Sequence, residues 1–275
     1  MTMFCEAIME ITAERTLPRN NEELAGNLDT GFLKVLALVF MLIDHMGVLF
    51  FPTVQEMRVL GRIAMPLYAW CLVVGNVKTR RPLMYCLRLL LIAVISQPLY
   101  MMALNHEWNY FSILFLLCIA TVAIQGIRWG KYLSQIWVPA LCYVLLGFIH
   151  VDYGWKGLSF ILLLYLARNN KAGLFAAFFG FCLFWGTTSG GVTKFFGLEF
   201  TFLKWPGIGD LLRAVCKLQT LAVLALPLIL IPTRTKLRLP KWLGYAIYPL
   251  HLVLLIILRV LLKGATWETL TAYFR

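Results

Sequence analysis

Long runs of apolar residues, separated by short polar segments, make up the chain from residue 32 onward. Most of these runs have the length that a helix needs to cross the ~30 Å hydrocarbon core of a bilayer. The sixth and seventh runs are short, which favours two tilted helices in a hairpin. The pattern predicts nine transmembrane helices, over residues 32–51, 59–77, 84–103, 111–127, 134–149, 154–167, 172–188, 210–232 and 242–262.

Composition restricts the fold class further. Hydrophobic residues form 61% of the 275-residue chain and charged residues 14%, whereas a soluble domain has ~45–50% and ~25%. A soluble fold of this length has too little interior for so much apolar surface. These figures exclude a soluble enzyme, a disordered chain and a disulfide scaffold. The predicted fold class is therefore all-α, a polytopic bundle of transmembrane helices.

Charge divides the chain into three parts. Residues 1–30 form a polar, acidic extension, residues 31–263 form the predicted transmembrane domain, and residues 264–275 form a short tail. The net charge is +12, and the acidic extension opposes it. The Gly-rich segment 189–209 has the composition of a re-entrant element or a lid as well as that of a loop.

Basic side chains lie mainly in the loops that follow the even-numbered helices. By the positive-inside rule these loops are cytoplasmic, which places the N-terminus in the cytoplasm and the C-terminus outside. Topology accounts for the basic balance, so we expect membrane lipids and no nucleic acid as partners. The basic residues of these loops are Lys78, Arg80, Arg81, Arg128, Lys131, Arg168, Lys171, Arg234, Lys236, Arg238 and Lys241.

Four ionisable residues inside predicted helices are the candidates for catalysis. An ionisable group at this depth costs roughly 2.5–3.5 kcal/mol. Asp44 and His45 lie in the first helix, Arg62 lies in the second, and His251 lies in the last, after Pro249. We expect Asp44 and Arg62 to pair, and histidine is the residue type whose unperturbed pKa of ~6.5 suits proton transfer at neutral pH.

Simpler interpretations of these residues stay open. The Asp44–Arg62 pair could only lock two helices together, and His251 could only hydrogen-bond between helices. Intramembrane Asp and His also occur in proton-coupled carriers, so a transporter or flippase for a small polar solute is one alternative. A non-enzymatic assembly partner for surface fibres is another. The cysteines form no CxxC pair, and we predict no metal site.

A second set of basic residues could bind an anionic ligand from the cytoplasm. Lys34 lies eleven residues before His45, so the two share one helix face about 16 Å apart along the axis. Arg88 lies within the third predicted helix, deeper than topology requires. Membrane topology alone explains Arg80 and Arg81, although both could also bind phosphates of the ligand.

Several motifs resemble the TraX-like family. They are Leu33-Lys34 with Asp44-His45-Met-Gly47, Gly61-Arg62-Ile-Ala-Met-Pro66-Leu-Tyr-Ala, Thr79 to Arg88 with Ser96-Gln97-Pro98, Asp152-Tyr153-Gly154, and Tyr248-Pro249-Leu250-His251. The resemblance covers about residues 30–262. That family is named for acetylation of the N-terminus of a conjugative pilin and is similar to the wider membrane acyltransferases.

The resemblance implies acetyl-CoA as the donor and His45 as the key catalytic residue. With that donor, we expect its phosphates to meet Lys34, Arg80, Arg81 and Arg88 at the cytoplasmic side. Arg62 would then stabilise the oxyanion, Asp44 would orient Arg62 or His45, and His251 would donate a proton or contact the acceptor. The resemblance leaves the acceptor open, and we expect a pilin-like peptide or a surface polymer as the partner that receives the acetyl group.

Overall fold

The computed structural model describes residues 24–201, 205, 207–235, 237 and 240–272, and these are mostly helical. Residues 1–23, most of the predicted acidic extension, lie outside this part, as do Lys236 and Arg238. The helices are α1 (Thr30–Phe50), α2 (Gln55–Gly61), α3 (Ala64–Lys78), α4 (Pro82–Leu104), α5 (Ile113–Trp129), α6 (Ser134–Phe148), α7 (Gly154–Leu166), α8 (Lys171–Gly186), α9 (Ile208–Val215), α10 (Leu226–Leu230), α11 (Lys241–Lys263) and α12 (Trp267–Thr271).

Four helical segments in the described part are long and apolar enough to cross a membrane. They are α1, the stretch Gln55–Lys78 that joins α2 and α3, α4, and residues Ala246–Lys263 of α11. Shorter apolar helices follow one another through α5, α6, α7 and α8. The membrane-helix character expected from composition is confirmed, whereas the number of nine crossings and the cytoplasmic N-terminus stay predictions.

The eighth predicted helix, over residues 210–232, is wrong as a continuous element. The chain forms α9, leaves helical structure near Cys216, and continues as a 3-10 helix, Thr220–Ala225, and then α10. Residues 191 and 217 form a β-bridge, which draws the backbone away from a helical path. A hydropathy window averages over such a break, because apolar residues predominate on both sides of it.

Two small β-ladders also depart from a purely helical fold. Strands β1 (Tyr110–Phe111) and β2 (His150–Val151) pair in parallel, with Tyr110 opposite His150. Strands β3 (Lys194–Phe195) and β4 (Leu198–Glu199) form an antiparallel hairpin within the segment 189–209. The first ladder joins the loop before α5 to the loop before α7, so it brings two chain segments to one end of the bundle.

Most helices pack on their neighbours in the chain, and α11 packs back on α4. The pair α1 and α2–α3 forms an antiparallel hairpin, α4 packs between α5 and α11, and α7 packs on α5, α3 and α8. The pairing of α7 with α8 agrees with the predicted hairpin of short helices. Helix α3 lies at the centre, and its Trp70 is fully buried.

The residues before α1 belong to the packed structure. Asn27 is fully buried and bonds to Leu228 and Thr233, while its carbonyl accepts a hydrogen bond from Trp70 Nε1 at 2.8 Å. Asp29 caps α1 by accepting from the Phe32 amide. The described end of the polar extension is therefore fixed to the bundle.

Candidate functional site

Two glycines allow α1 and α2 to approach closely. A Cβ atom added at Gly61 would collide with the Asp44 side chain, and one added at Gly47 would lie 2.8 Å from Met57 Cβ. Helices can pack at this distance only where a side chain is missing. The two glycines thus place Asp44, in the C-terminal part of α1, directly against the start of the second hydrophobic segment.

Asp44 forms ion pairs with two arginines across this contact. Its Oδ1 lies 2.8 Å from Arg58 Nη1 and 3.6 Å from Arg62 Nη2. Arg62 also donates to Gln219 Oε1 at 3.4 Å, and its Nε is buried without a hydrogen-bond partner in the described structure. The predicted proximity of Asp44 and Arg62 is confirmed, and Arg58 is the closer of the two arginines.

His45 and His251 lie against each other although they are far apart in the sequence. Their ring centroids are 5.5 Å apart and their planes differ by 13°. His45 Nδ1 and both ring nitrogens of His251 are buried and have no hydrogen-bond partner among the described residues. Tyr248 packs edge-on against His251 at 4.9 Å. The four residues singled out within predicted helices therefore form one cluster.

A pocket of about 290 Å³ opens beside this cluster, and we call it the histidine pocket. Its walls come from α1, α2, α3, α4, α11 and the two loops that the β1–β2 ladder joins. Its wall combines charged side chains and tyrosines with apolar residues. Its lining includes Asp44, His45, Arg58, Arg62, Tyr68, Tyr100, His106, Tyr110, Asp152, Tyr153 and Tyr248.

An aromatic stack closes one side of the histidine pocket. The ring of His106 lies between Tyr100 and Tyr110, at centroid distances of 4.9 Å and 4.6 Å. Gln97 holds the loop in place, because its side chain donates to the Tyr110 carbonyl at 2.8 Å and accepts from the Ser112 amide. This gives a structural reason for the glutamine in the Ser96-Gln97-Pro98 motif.

Asp152 is a second carboxyl group on the pocket wall. Burial raises the pKa of Asp152 to about 6, even though the nearby positive charge of Arg62 opposes the shift. The pKa of Tyr110 rises to about 12, mainly through burial and also through the adjacent Asp152. Lys156, one turn further along the chain, donates a hydrogen bond to Thr188.

A second pocket, of about 410 Å³, lies toward the N-terminal end of α1, and we call it the lysine pocket. Half-buried Lys34 is its charged wall residue. Of the four predicted donor-binding residues, Lys34 alone is among the described residues that line it. Arg80 and Arg81 are exposed in the α3–α4 loop, and exposed Arg88 donates to the Met84 carbonyl of its own helix.

The two pockets share part of their walls. Tyr68 of α3 and Tyr248 of α11 line both of them. Helix α1 also runs past both, with Lys34 at one and His45 at the other. The pockets are therefore neighbours along a path that follows α1.

Sequence reasoning did not assign Tyr68, Tyr110 or Asp152 to the site. Tyrosine in an apolar helix is common in cores, and Asp152 follows a loop whose position depends on the β1–β2 pairing. Tyr68 and Asp152 both lie within motifs that resemble the TraX-like family, and this resemblance is the sequence feature that could have pointed to them. The three residues come together only because α3 packs near the two loops that the β1–β2 ladder joins.

Comparison with known proteins gives a family match and two partial relatives. The profile of the TraX protein family matches residues 29–259. The chain is 28% identical over 149 residues to "Uncharacterized protein RP591" of Rickettsia prowazekii (strain Madrid E), covering 52% of this chain and 57% of that protein. It is 29% identical over 146 residues to "Probable fimbrial assembly protein FimC, serogroup H1" of Dichelobacter nodosus, covering 48% and 59%.

The matched regions thus span less than two thirds of either relative. No solved structure matches the chain. The family profile, in contrast, extends from the cap of α1 to the last turns of α11 and includes all four clustered residues. On this match, the chain belongs to the TraX family.

Proposed function

We propose that this protein is a multi-pass acetyltransferase of a bacterial plasma membrane that uses acetyl-CoA as donor. The acetyl group would go to an amine or hydroxyl of a membrane-associated or extracytoplasmic acceptor. One observation carries the proposal: His45, with a buried and unpartnered Nδ1, stands at a pocket that adjoins a second pocket containing Lys34. A general base next to a cavity for each substrate is the arrangement that group transfer requires.

The donor would enter by the lysine pocket. Lys34 and His45 are eleven residues apart, or about 16 Å along α1. That distance is comparable to an extended pantetheine arm, so phosphates near Lys34 would bring the thioester to His45. Arg80 and Arg81 begin the loop beside α4, where the nucleotide end of the donor would lie in solvent. Arg88 would need a different rotamer to join them, because its guanidinium is bonded to its own helix.

The positions of the clustered residues support the following mechanism of acetyl transfer. His45 removes a proton from the acceptor, whose nitrogen or oxygen attacks the thioester carbon. The C–S bond breaks, and the thiolate of CoA takes up the proton. Arg62 stabilises the negative charge that develops on the carbonyl oxygen. Asp44 fixes the direction of Arg62, and His251 stacks on His45 and limits its rotation.

The acceptor would occupy the histidine pocket. An acetyl group needs only part of 290 Å³, which leaves room for one end of a larger molecule. The name of the D. nodosus relative supports a fimbrial subunit as acceptor, and a surface glycan is compatible with the same pocket.

Replacement of the histidine tests this proposal directly. Membrane vesicles that contain the protein are given acetyl-labelled acetyl-CoA, and release of free CoA and label in protein, lipid and polymer fractions are measured. We expect His45→Gln to lower both by at least about 100-fold, the usual contribution of a general base. Wild-type rates in the variant, at equal amounts of folded protein, would reject the mechanism.

The matched control is His150→Gln. His150 is exposed in β2 and lies outside both pockets, so its replacement should leave CoA release unchanged. A fall of equal size in both variants would show that loss of any histidine disturbs the fold, and the proposal would lose its support.

A second candidate function is a fimbrial assembly factor without chemistry, which the name of the D. nodosus relative favours. The same vesicle assay separates the two. An assembly factor releases no CoA above protein-free vesicles, yet its loss prevents fibre formation. If His45→Gln supports normal fibres and the wild type releases no CoA, the assembly function replaces the enzymatic one.

A further inference from the structure

The hydroxyl group of Tyr68 is buried and has no hydrogen-bond partner among the described residues. A buried tyrosine normally finds a partner for its hydroxyl. The Tyr68 ring itself is only half-buried, since it forms part of two cavity walls. A hydroxyl in this position is ready to donate to an atom that a ligand brings.

Tyr68 lies at the point where the two pockets meet. On the same face of α3, Ala64 and Met65 lie one turn earlier and line the histidine pocket. Cys71 and Leu72 lie one turn later and line the lysine pocket. Side chains three and four residues apart share a helix face, so this face passes along both cavities with Tyr68 at its middle.

We propose that Tyr68 is a further catalytic residue, whose hydroxyl donates a hydrogen bond to the carbonyl oxygen of the donor thioester. This assignment rests on the acetyltransferase function proposed above. As the acceptor attacks, the carbonyl oxygen gains negative charge, and the hydrogen bond from Tyr68 strengthens. Tyr68 keeps its proton throughout, because the acceptor proton passes through His45 to the sulfur of CoA.

The neighbouring groups are less suited to donate this bond. Arg62 lines the histidine pocket and not the lysine pocket, and two of its three nitrogens are committed, one near Asp44 and one to Gln219. Tyr248 also lines both pockets, but its ring packs edge-on against His251. Arg62 would therefore supply charge from the histidine pocket, while Tyr68 supplies the directed hydrogen bond at the entrance.

The first test compares Tyr68→Phe with Tyr143→Phe in the vesicle assay. Tyr143 shares a hydrogen bond with Ser159 and lies outside both pockets. Loss of an oxyanion donor lowers kcat by about 10²–10³-fold, and we expect a fall of that order for Tyr68→Phe alone. Free CoA lacks the acyl carbonyl, so its inhibition constant should stay within about twofold. A kcat close to that of the wild type would overturn the assignment, and so would equal losses in kcat and CoA binding.

A second measurement keeps the assignment testable even if Tyr68→Phe folds poorly. S-acetonyl-CoA carries a ketone where S-propyl-CoA has a methylene, and neither can transfer an acyl group. We expect the wild type to bind the ketone about 3–10-fold more tightly, the usual worth of one neutral hydrogen bond. In Tyr68→Phe the preference should disappear. Equal inhibition of the wild type by the two analogues rejects the assignment.

The two proposals fail in different ways. If the wild type releases no CoA and binds neither analogue, the acetyltransferase function and the role of Tyr68 fall together. If the wild type is active and depends on His45, while Tyr68→Phe has full activity, only the role of Tyr68 is rejected.

Discussion

The two carboxyl groups that face the histidine pocket have different surroundings. Asp44 lies between two guanidinium groups, with Arg58 Nη1 only 2.8 Å away. Asp152 lies on the other wall, where burial raises its pKa to about 6 despite the charge of Arg62. Opposite charge favours the ionised form of a carboxyl, and burial disfavours it. Since the pKa of Asp152 is about 6, its charge responds to modest acidification from neutral pH.

The raised pKa of Asp152 predicts a pH dependence of stability. The pKa of an aspartate in an unfolded chain is 3.8, so Asp152 binds a proton more tightly in the folded protein than in the unfolded chain. Its contribution to stability is therefore present below about pH 4 and is lost as pH rises to about 6. We expect apparent thermal midpoints in detergent to fall over this range in the wild type relative to Asp152→Asn.

Glu107→Gln is the control for this titration, because Glu107 is an exposed carboxyl at the same end of the bundle. The apparent thermal midpoint of Glu107→Gln should differ from that of the wild type by the same amount across this pH range. If the difference in midpoint between wild type and Asp152→Asn is also independent of pH, burial does not raise the pKa of Asp152.

At the scale of elements, the α1–α2 contact determines the geometry of the site. Gly61 lies against the Asp44 side chain, and Gly47 lies against Met57. An added methyl group in a tight contact usually costs about 1–3 kcal/mol, because side chains or backbone must move. Here the displaced side chain would be the carboxylate that holds two arginines.

Gly61→Ala should therefore lower both stability and activity. We expect a loss of about 1–3 kcal/mol, visible as a lower apparent thermal midpoint, together with slower CoA release. Gly147→Ala is the matched control, since Gly147 lies in α6 with open space around it. Alanine there should be neutral or stabilising by up to about 1 kcal/mol. Equal behaviour of the two variants would contradict the close-contact explanation.

At the scale of the whole molecule, the pockets follow one another along the bundle. The lysine pocket lies near the start of α1 and the histidine pocket near its end. The basic α3–α4 loop adjoins the first end, and the β1–β2 ladder adjoins the second. If the basic loops face the cytoplasm, a cytoplasmic donor and an external acceptor would meet inside the membrane.

This orientation predicts which loops react with an impermeant thiol reagent. Arg80 and Trp108 are exposed at opposite ends of α4, so Arg80→Cys and Trp108→Cys in a cysteine-free background report on opposite faces. A membrane-impermeant maleimide should label Trp108→Cys in cells whose plasma membrane is intact, and Arg80→Cys only after lysis. The reverse pattern would invert the topology and place the lysine pocket outside.

Much of the fold was predictable because transmembrane helices follow from local composition. The bounds of α4, α6 and α11 lie within about two residues of the predicted spans, since apolar length alone sets them. The break near Cys216 was not predictable, because it depends on a bridge to residue 191, far away in the sequence. Asp44, His45 and Arg62 were predictable as a group, because α1 and α2 are joined by a short link.

The sequence by itself determined the membrane character, most helices, and the four candidate ionisable residues whose placement in lipid is costly. Tertiary structure alone decided that His251 stacks on His45, that Asp152 and Tyr110 reach the same pocket, and that Tyr68 separates two cavities. The physical reason is the range of the interactions. Hydropathy and helical periodicity act along one segment, whereas a pocket is the space left when several helices and two loops have packed together.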